Sequence, residues 1–216
     1  MTIPAREPYV FADIRPTLAI LDTQNYLRQH DSVPEVYASD IAGVLLSEGD
    51  IRNGISAVSA RINQDVRSLS KSAGVVLVTV LHGAMVFSSD LMRRLHFPFQ
   101  TDSVAVSSYE GTESTGSYQV KKEIGYSILG KDVIVVEDIV DTGGTLDFLI
   151  RHINAKNPAS LRTVALLDKI DRRKPQFAHI KADYTGFVIP DAFVIGYGLD
   201  YVGHYRGLPF VAVKKK

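Results

Sequence analysis

The segment that decides the fold is VIVVEDIVDTGGTL, residues 133–146. Four β-favouring apolar residues precede three acids, Glu137, Asp138 and Asp141, and a Thr-Gly-Gly-Thr turn follows. In an open parallel sheet, ligands bind beyond the carboxyl ends of the strands. A turn of this kind that opens a helix presents free amides and the positive end of the helix dipole to an anion. The segment therefore predicts a buried strand that ends in a phosphate-binding turn.

The three acids indicate a second ligand beside the phosphate. Carboxylates accept hydrogen bonds from vicinal sugar hydroxyls, and a Mg²⁺ ion near a diphosphate would offset their mutual repulsion. An acidic turn that only caps the helix is the simpler interpretation, but a cap needs one acid and explains neither three acids nor paired glycines. Neither a Walker A loop nor a G-x-G-x-x-G fingerprint is present in the segment. It favours a sugar phosphate with a metal-bound diphosphate nearby.

Composition limits the class of protein. The chain has 216 residues, 45% of them apolar and 22% charged, which suits one soluble domain. With 24 basic and 24 acidic residues the net charge is zero, so no global field attracts nucleic acid or membrane. The absence of cysteine excludes disulfides, thiolate catalysis and Cys-ligated zinc. The N-terminus lacks the apolar segment of a signal peptide, and we expect a cytoplasmic protein.

Strand-like and helix-like segments alternate along the chain, which predicts a mostly parallel α/β sheet flanked by helices. Apolar runs predict strands over residues 75–81, 103–109, 131–139 and 161–169, and shorter strand-like pieces over 184–190, 192–201 and 209–214. Apolar residues at helical spacing predict helices over residues 51–72, 85–95 and 144–157. The pattern of residues 1–50 indicates short helices and loops, and residues 110–127 indicate a mobile loop or an extended flap.

The opening segment closely resembles the phosphoribosyl-pyrophosphate signature of type I phosphoribosyltransferases, two acids followed two residues later by Asp-Thr-Gly-x-Thr. Four more segments occur in the order seen in bacterial hypoxanthine-guanine phosphoribosyltransferases: VLHGAMVF, SSYEGTESTG, LLDK and DAFVIGYGLDYVGHYRGLP. The resemblance covers about residues 75–213. It implies the type I phosphoribosyltransferase fold in a single domain, residues 1–216, with a flexible flap. The core would span about residues 50–170, and a small hood would form from about 1–50 and 171–216.

Enzymes of this family transfer the 5-phosphoribosyl group of phosphoribosyl pyrophosphate to N9 of a 6-oxopurine, hypoxanthine or guanine, and release pyrophosphate. The resemblance implies that Asp141 is the general base or proton relay at purine N7. It also implies that Glu137 and Asp138 hold the ribose hydroxyls and, together with Asp200, Mg²⁺. The expected phosphoribosyl site comprises Glu137, Asp138, Asp141, Thr142, Gly143, Gly144 and Thr145.

The purine and pyrophosphate sites also follow from the resemblance. Lys169 is expected to donate to the purine O6, and Phe193 to stack on the ring; without the resemblance they would be interpreted as a surface lysine and a core aromatic. The expected purine-binding residues are Ile139, Lys169, Phe193, Val194 and Asp200. The expected pyrophosphate-binding residues are His82, Gly83, Ser108, Tyr109 and Arg206.

The turn after the first buried strand departs from the family pattern. It usually reads Leu-Lys-Gly-Gly or Leu-Lys-Gly-(Ala/Ser), whereas this chain has Leu81-His82-Gly83-Ala84. The turn binds pyrophosphate largely through its backbone, often with an unusual peptide geometry, so a histidine can serve there. A histidine is mostly neutral near pH 7. We therefore expect weaker or pH-dependent pyrophosphate binding.

Two other functions are weighed against this one. A regulator that keeps the fold and binds nucleic acid is disfavoured by the zero net charge and by the lack of an evident helix-turn-helix. A xanthine or pyrimidine phosphoribosyltransferase is disfavoured by Lys169 together with AFVIGYGLDY. We expect small-molecule substrates, no nucleic-acid or membrane partner, and a homodimer or homotetramer.

Overall fold

The computed structural model describes residues 7–13, 34–66, 74–108 and 118–215. Its helices are α1 (Glu35–Ala38), α2 (Glu48–Val66), α3 (Met85–Met92) and α4 (Gly144–Asn154). Its strands are β1 (Tyr9–Asp13), β2 (Ile41–Leu46), β3 (Val75–Leu81), β4 (Gln100–Ser108), β5 (Tyr118–Lys122), β6 (Asp132–Val140), β7 (Ser160–Asp168), β8 (Tyr184–Val188), β9 (Val194–Ile195) and β10 (Val211–Lys214). Two short 3-10 helices, Ile170–Arg172 and Pro175–Phe177, follow β7.

Seven strands form the central sheet, in the order β1-β8-β7-β6-β3-β4-β5. Every pairing in it is parallel except that of β4 with β5, which is antiparallel. Parallel strands need crossover connections, and helices α2, α3 and α4 lie in such connections. The predicted fold class, a mostly parallel sheet flanked by helices, is confirmed.

Both faces of the sheet are buried, as the continuous apolar strands require. On one face, Leu77 of β3 and Ile134 of β6 pack with apolar residues of α2 and α3, including Ile55 and Phe87. On the other face, the neighbouring residues of the same strands pack against α4 through its side chains Leu149 and Ile153. Because successive strand residues point to opposite faces, one apolar run supplies two layers of core.

A second sheet of three antiparallel strands, in the order β2-β10-β9, lies outside the central sheet. Its core contains Val44, Ile195, Leu208 and Phe210. The strands come from both segments predicted to form the hood, although β1 and β8 from those segments extend the central sheet instead. The division into core and hood remains a prediction.

The predicted strands over residues 75–81, 131–139 and 161–169 are confirmed within one residue at each end. Residues 1–50 were predicted to form short helices and loops; α1 is such a helix, but the prediction is wrong for β1 and β2, which are strands. Strand β1 was missed because its burial does not alternate and its partner β8 lies far along the chain. Part of the predicted flap is also regular, since β5 pairs with β4.

Several predicted helix and strand ends differ from the structure. The helix predicted over residues 85–95 ends at Met92, and the one predicted over 144–157 ends at Asn154. The strand predicted over 192–201 is confined to β9, because Gly196 and Gly198 adopt positive φ and turn the chain. Residues 14–33, 67–73 and 109–117 lie outside the described part of the chain.

Gly54 of α2 provides a test of this packing. A Cβ there would lie 2.5 Å from the ring of Phe187 on β8. We expect Gly54→Ala to lower the free energy of unfolding by about 1–3 kcal/mol through overpacking, although alanine favours helix by about 1 kcal/mol. Gly49→Ala, in the exposed first turn of the same helix, meets only ordinary contacts and should be neutral or stabilising. Urea unfolding of both variants measures the difference, and equal stability would contradict the packing argument.

Candidate active site

The register of β6 with β7 brings two predicted site residues together. Val140 pairs with Asp168. The residues that follow the two strands, Asp141 and Lys169, therefore lie side by side at the carboxyl edge of the sheet. The Lys169 side chain is buried, and its Nζ lies 3.5 Å from Asp141 Oδ2. Arg172 Nε donates to Asp141 Oδ1 at 3.0 Å. The half-exposed Asp141 carboxylate therefore faces two positive charges.

The pair Glu137 and Asp138 carries the strongest electrostatic conflict of the site. Burial raises the pKa of Glu137 well above its usual range, and the charge of Asp138 raises it further. Burial also raises the pKa of Asp138, against hydrogen bonds from Glu137 and the Ile139 amide and the charge of Arg206. Glu137 Oε2 is buried without a hydrogen-bond partner among the described residues. Adjacent carboxyls in this state need a proton or a cation.

The turn after β3 lies directly against this pair. Thr79 of β3 pairs with Val136 of β6, so the turn begins beside Asp138. A Cβ on Gly83 would lie 1.7 Å from Asp138 Oδ2, which only glycine allows. The Leu81–His82 peptide bond is cis, in agreement with the expectation of an unusual peptide, and the His82 side chain is exposed.

The C-terminal segment that carries Asp200 and Arg206 packs against the same turn through Gly198. Arg206 pairs with Asp200 Oδ1 at 2.8 Å and donates to the Gly198 carbonyl at 2.6 Å. Gly198 has φ +99°, and a Cβ on it would lie 2.1 Å from the carbonyl oxygen of Gly83. The Gly203 amide donates to the other carboxylate oxygen of Asp200. Two segments more than 100 residues apart thus form one wall of the site.

The predicted phosphate turn connects β6 to α4 and borders a cavity of about 220 Å³. Gly143 has φ +91° and precedes the first residue of α4, Gly144. The positive φ requires glycine at position 143. The cavity is lined by Glu137, Ile139, Val140, Asp141, Thr142, Gly143, Thr145 and Leu146. An anion in the turn would meet the free amides at the start of α4.

The predicted purine-binding residues lie around the ends of β6, β7 and β9. Phe193 is 54% exposed, which a core aromatic would not be, and its ring meets Tyr201 edge-on at 5.7 Å. Its carbonyl accepts from the Lys214 amide, next to β9, while Val194 is buried. Ile139 is half-buried and lines the cavity beside the phosphate turn. Of the two flap residues, Ser108 ends β4, and Tyr109 lies outside the described residues.

The sequence did not identify Arg173, which donates hydrogen bonds to backbone carbonyls at the start of the phosphate turn. Its buried guanidinium pairs with Asp168 at 2.5 Å and donates to the carbonyl of Val140 at 2.8 Å and to that of Asp141. The Arg173 stem also packs against Gly143. The RR pair after LLDK was the available signal, but nothing in the sequence shows that an arginine points at backbone carbonyls.

The fold and the arrangement of the site define a phosphoribosyltransferase. A family model described as phosphoribosyl transferase domain matches residues 47–202, and the chain belongs to this family. It is 42% identical over 182 residues to the hypoxanthine-guanine phosphoribosyltransferase of Mycobacterium bovis, covering 82% of this chain and 88% of that protein. It is 44% identical over 177 residues to the protein of the same name from Staphylococcus epidermidis, covering 82% and 95%.

A solved structure agrees with these relatives. The crystal structure of a hypoxanthine phosphoribosyltransferase from Staphylococcus aureus superposes with a TM-score of 0.77 at 41% identity, over 85% of this chain and 97% of that one.

No helix in the described ranges is long and apolar enough to cross a membrane.

The contacts of Arg173 lead to a stability prediction. Lysine cannot reproduce the planar fork of donors that arginine offers, so Arg173→Lys should lower the free energy of unfolding by about 1–3 kcal/mol. It should also speed hydrogen exchange of the amides of residues 142–145. Arg151→Lys is the matched control, because Arg151 forms an exposed pair with Asp147 on α4 worth at most about 1 kcal/mol. Unchanged exchange in the turn would contradict the role given to Arg173.

Proposed function

We propose that this chain transfers the 5-phosphoribosyl group of phosphoribosyl pyrophosphate to N9 of hypoxanthine or guanine. The products are IMP or GMP and pyrophosphate. The observation that supports this most directly is that Asp141 and Lys169 lie close together beside the phosphate turn. Two side chains that can bind a purine are thus adjacent to a site that can bind a sugar phosphate. The family and the named relatives support the same reaction.

The distance of 3.5 Å between Lys169 Nζ and Asp141 Oδ2 suits one edge of a 6-oxopurine. O6 and N7 are neighbouring atoms on that edge. The ammonium of Lys169 donates to O6, and because it only donates, it disfavours a 6-amino group. The Asp141 carboxylate accepts the N7 proton as N9 forms its bond to C1 of the ribose. The exposed ring of Phe193 offers a surface on which the purine can stack.

The acids of β6 are assigned to the ribose and to Mg²⁺. Glu137 and Asp138 fit a cation because they are adjacent, because burial raises the pKa of each, and because Glu137 Oε2 has no hydrogen-bond partner among the described residues. No cluster of three or more candidate ligands occurs in the part of the chain that the structure describes, but Mg²⁺ usually takes only one or two carboxylates with substrate phosphates and water. When bound, it would neutralise the diphosphate. Asp200 remains the third proposed ligand, although Arg206 pairs with it.

The leaving pyrophosphate is assigned to the turn at His82 and Gly83, to Arg206 and to the start of the flap at Ser108 and Tyr109. Gly83 allows the backbone of the turn to lie against the acids, and Arg206 adds a fixed positive charge. Charge that develops on the leaving group is thus met by groups already in place. A homodimer or homotetramer belongs to the same proposal on the family resemblance alone, and a cytoplasmic location is proposed with it from the sequence.

A panel of bases tests the reaction. The purified protein, with Mg²⁺ and phosphoribosyl pyrophosphate, is given hypoxanthine, guanine, xanthine, adenine or uracil, and nucleotide formation is followed by chromatography. IMP or GMP should form fastest. A faster product from xanthine or uracil would favour the alternative substrates, and no nucleotide from any base would favour a regulator of the same fold.

Asp141→Asn tests the proton role of this carboxylate. The amide keeps the shape of the side chain but cannot take the N7 proton, so we expect kcat to fall by about 10²–10⁴-fold. The affinity for phosphoribosyl pyrophosphate should change much less. Asp147→Asn is the control, since Asp147 pairs with Arg151 on the next turn of α4 and should leave kcat unchanged. Equal losses of turnover and affinity in Asp141→Asn would argue against the proton role.

His82→Lys tests the departure from the family pattern. A permanent positive charge at this exposed position should lower the KM for phosphoribosyl pyrophosphate. Steady-state kinetics at pH 6 and pH 8 compare the KM of the variant with that of the parent protein. His96→Lys, away from the turn, controls for net charge. If His82→Lys has the same KM for phosphoribosyl pyrophosphate as the parent protein at both pH 6 and pH 8, the idea is refuted.

A further inference from the structure

Strand β5 is attached to the helix that begins at the phosphate turn. Tyr118, its first residue, stacks on Phe148 of α4 with ring centroids 5.5 Å apart, and Phe148 stacks on His152 at 5.8 Å. Beyond the strand, Glu123 contacts His152 at 3.0 Å and Lys156 at 3.1 Å. These contacts at both ends of β5 fix its position on the side of α4.

This attachment places the Tyr118 hydroxyl beside Gly144, the residue that follows Gly143 in the phosphate turn. A Cβ on Gly144 would lie 1.9 Å from that oxygen, so the hydroxyl occupies the space beside the first residue of α4. The family motif, Asp-Thr-Gly-x-Thr, leaves position 144 open. Gly143 is required by its positive φ, but Gly144 has no such conformation. Any larger residue at position 144 would have to displace the Tyr118 hydroxyl and would crowd the ring of Phe177.

This arrangement has an energetic cost. Glycine in a helix is less stable than alanine by about 1 kcal/mol, and the first turn of α4 contains one where the Tyr118 oxygen needs the space. The hydroxyl forms no hydrogen bond with the residues that the structure describes. A phenol beside the first residue of a helix, with no hydrogen-bond partner among the described residues, is available to donate to an anion bound at the helix N-terminus.

We propose that Tyr118 is a further substrate-binding residue, whose hydroxyl donates a hydrogen bond to the 5-phosphate held by Thr142–Thr145. This inference rests on the proposed function, because it takes the ligand of the turn to be the 5-phosphate. Strand β5 then belongs to the phosphoribosyl site as well as to the edge of the sheet. A bond to a charged group is among the stronger protein hydrogen bonds, and it adds selectivity for nucleotides over nucleosides.

Tyr118→Phe tests the proposal, because it removes the oxygen and keeps the ring stacked on Phe148. The inhibition constant of IMP should rise by about tenfold or more, and the KM for phosphoribosyl pyrophosphate should rise with it. Inosine, which lacks the 5-phosphate, should inhibit both proteins equally. Tyr126→Phe is the control, since Tyr126 is half-exposed and follows β5, where its amide donates to Asp102.

The failure of the role proposed for Tyr118 and the failure of the proposed function give different results. If the parent protein forms IMP and Tyr118→Phe binds IMP as tightly as the parent does, the role of Tyr118 is refuted and the proposed function stands. If IMP and inosine weaken equally, the hydroxyl supports the structure rather than the phosphate, and the proposal is also refuted. If the parent neither forms nor binds IMP, the proposed function and this inference fail together.

Discussion

The site depends on the parallel pairing of β6 with β3 on one side and with β7 on the other. Parallel strands end at the same edge of a sheet, so the loops that follow these three strands meet. One register places the turn at Gly83 beside Asp138, and the other places Lys169 beside Asp141. A slip of one residue in either register would turn every side chain of that strand to the opposite face. The two-sided core therefore also determines the geometry of the site.

The electrostatics of the site oppose its stability. Two adjacent carboxyls with raised pKa values lie near the carboxyl end of a buried strand, and one oxygen of Glu137 has no partner within the described residues. A protein selected only for stability would not retain such a pair. The destabilisation is offset when a cation and sugar hydroxyls bind at the site, because these ligands then stabilise the folded state. The charge of Arg206 opposes part of the increase in the pKa of Asp138.

Glycine has several distinct tasks around this edge. Gly83 allows the backbone to touch Asp138, and Gly198 allows it to touch Gly83, so two loops distant in sequence pack without side chains between them. Gly143 provides the left-handed conformation that starts α4. Gly144 makes room for Tyr118. The first two contacts could not be foreseen from the motif, because a close approach depends on which loop lies opposite.

The sequence by itself determined the central strands, the helices between them and the chemistry of the turn after β6. These follow from local apolar periodicity and from residue types that are neighbours in the chain, as in residues 133–146. Only the tertiary structure decided that β1 pairs with β8 and that residues 118–122 form a strand. It also decided that Arg173 donates to the carbonyls of the phosphate turn and that Tyr118 lies beside Gly144. Each of these depends on hydrogen-bond partners or packing neighbours far away in sequence, and no local pattern encodes such a partner. The sequence therefore indicates which side chains the site contains, and the tertiary structure determines which of them are in contact.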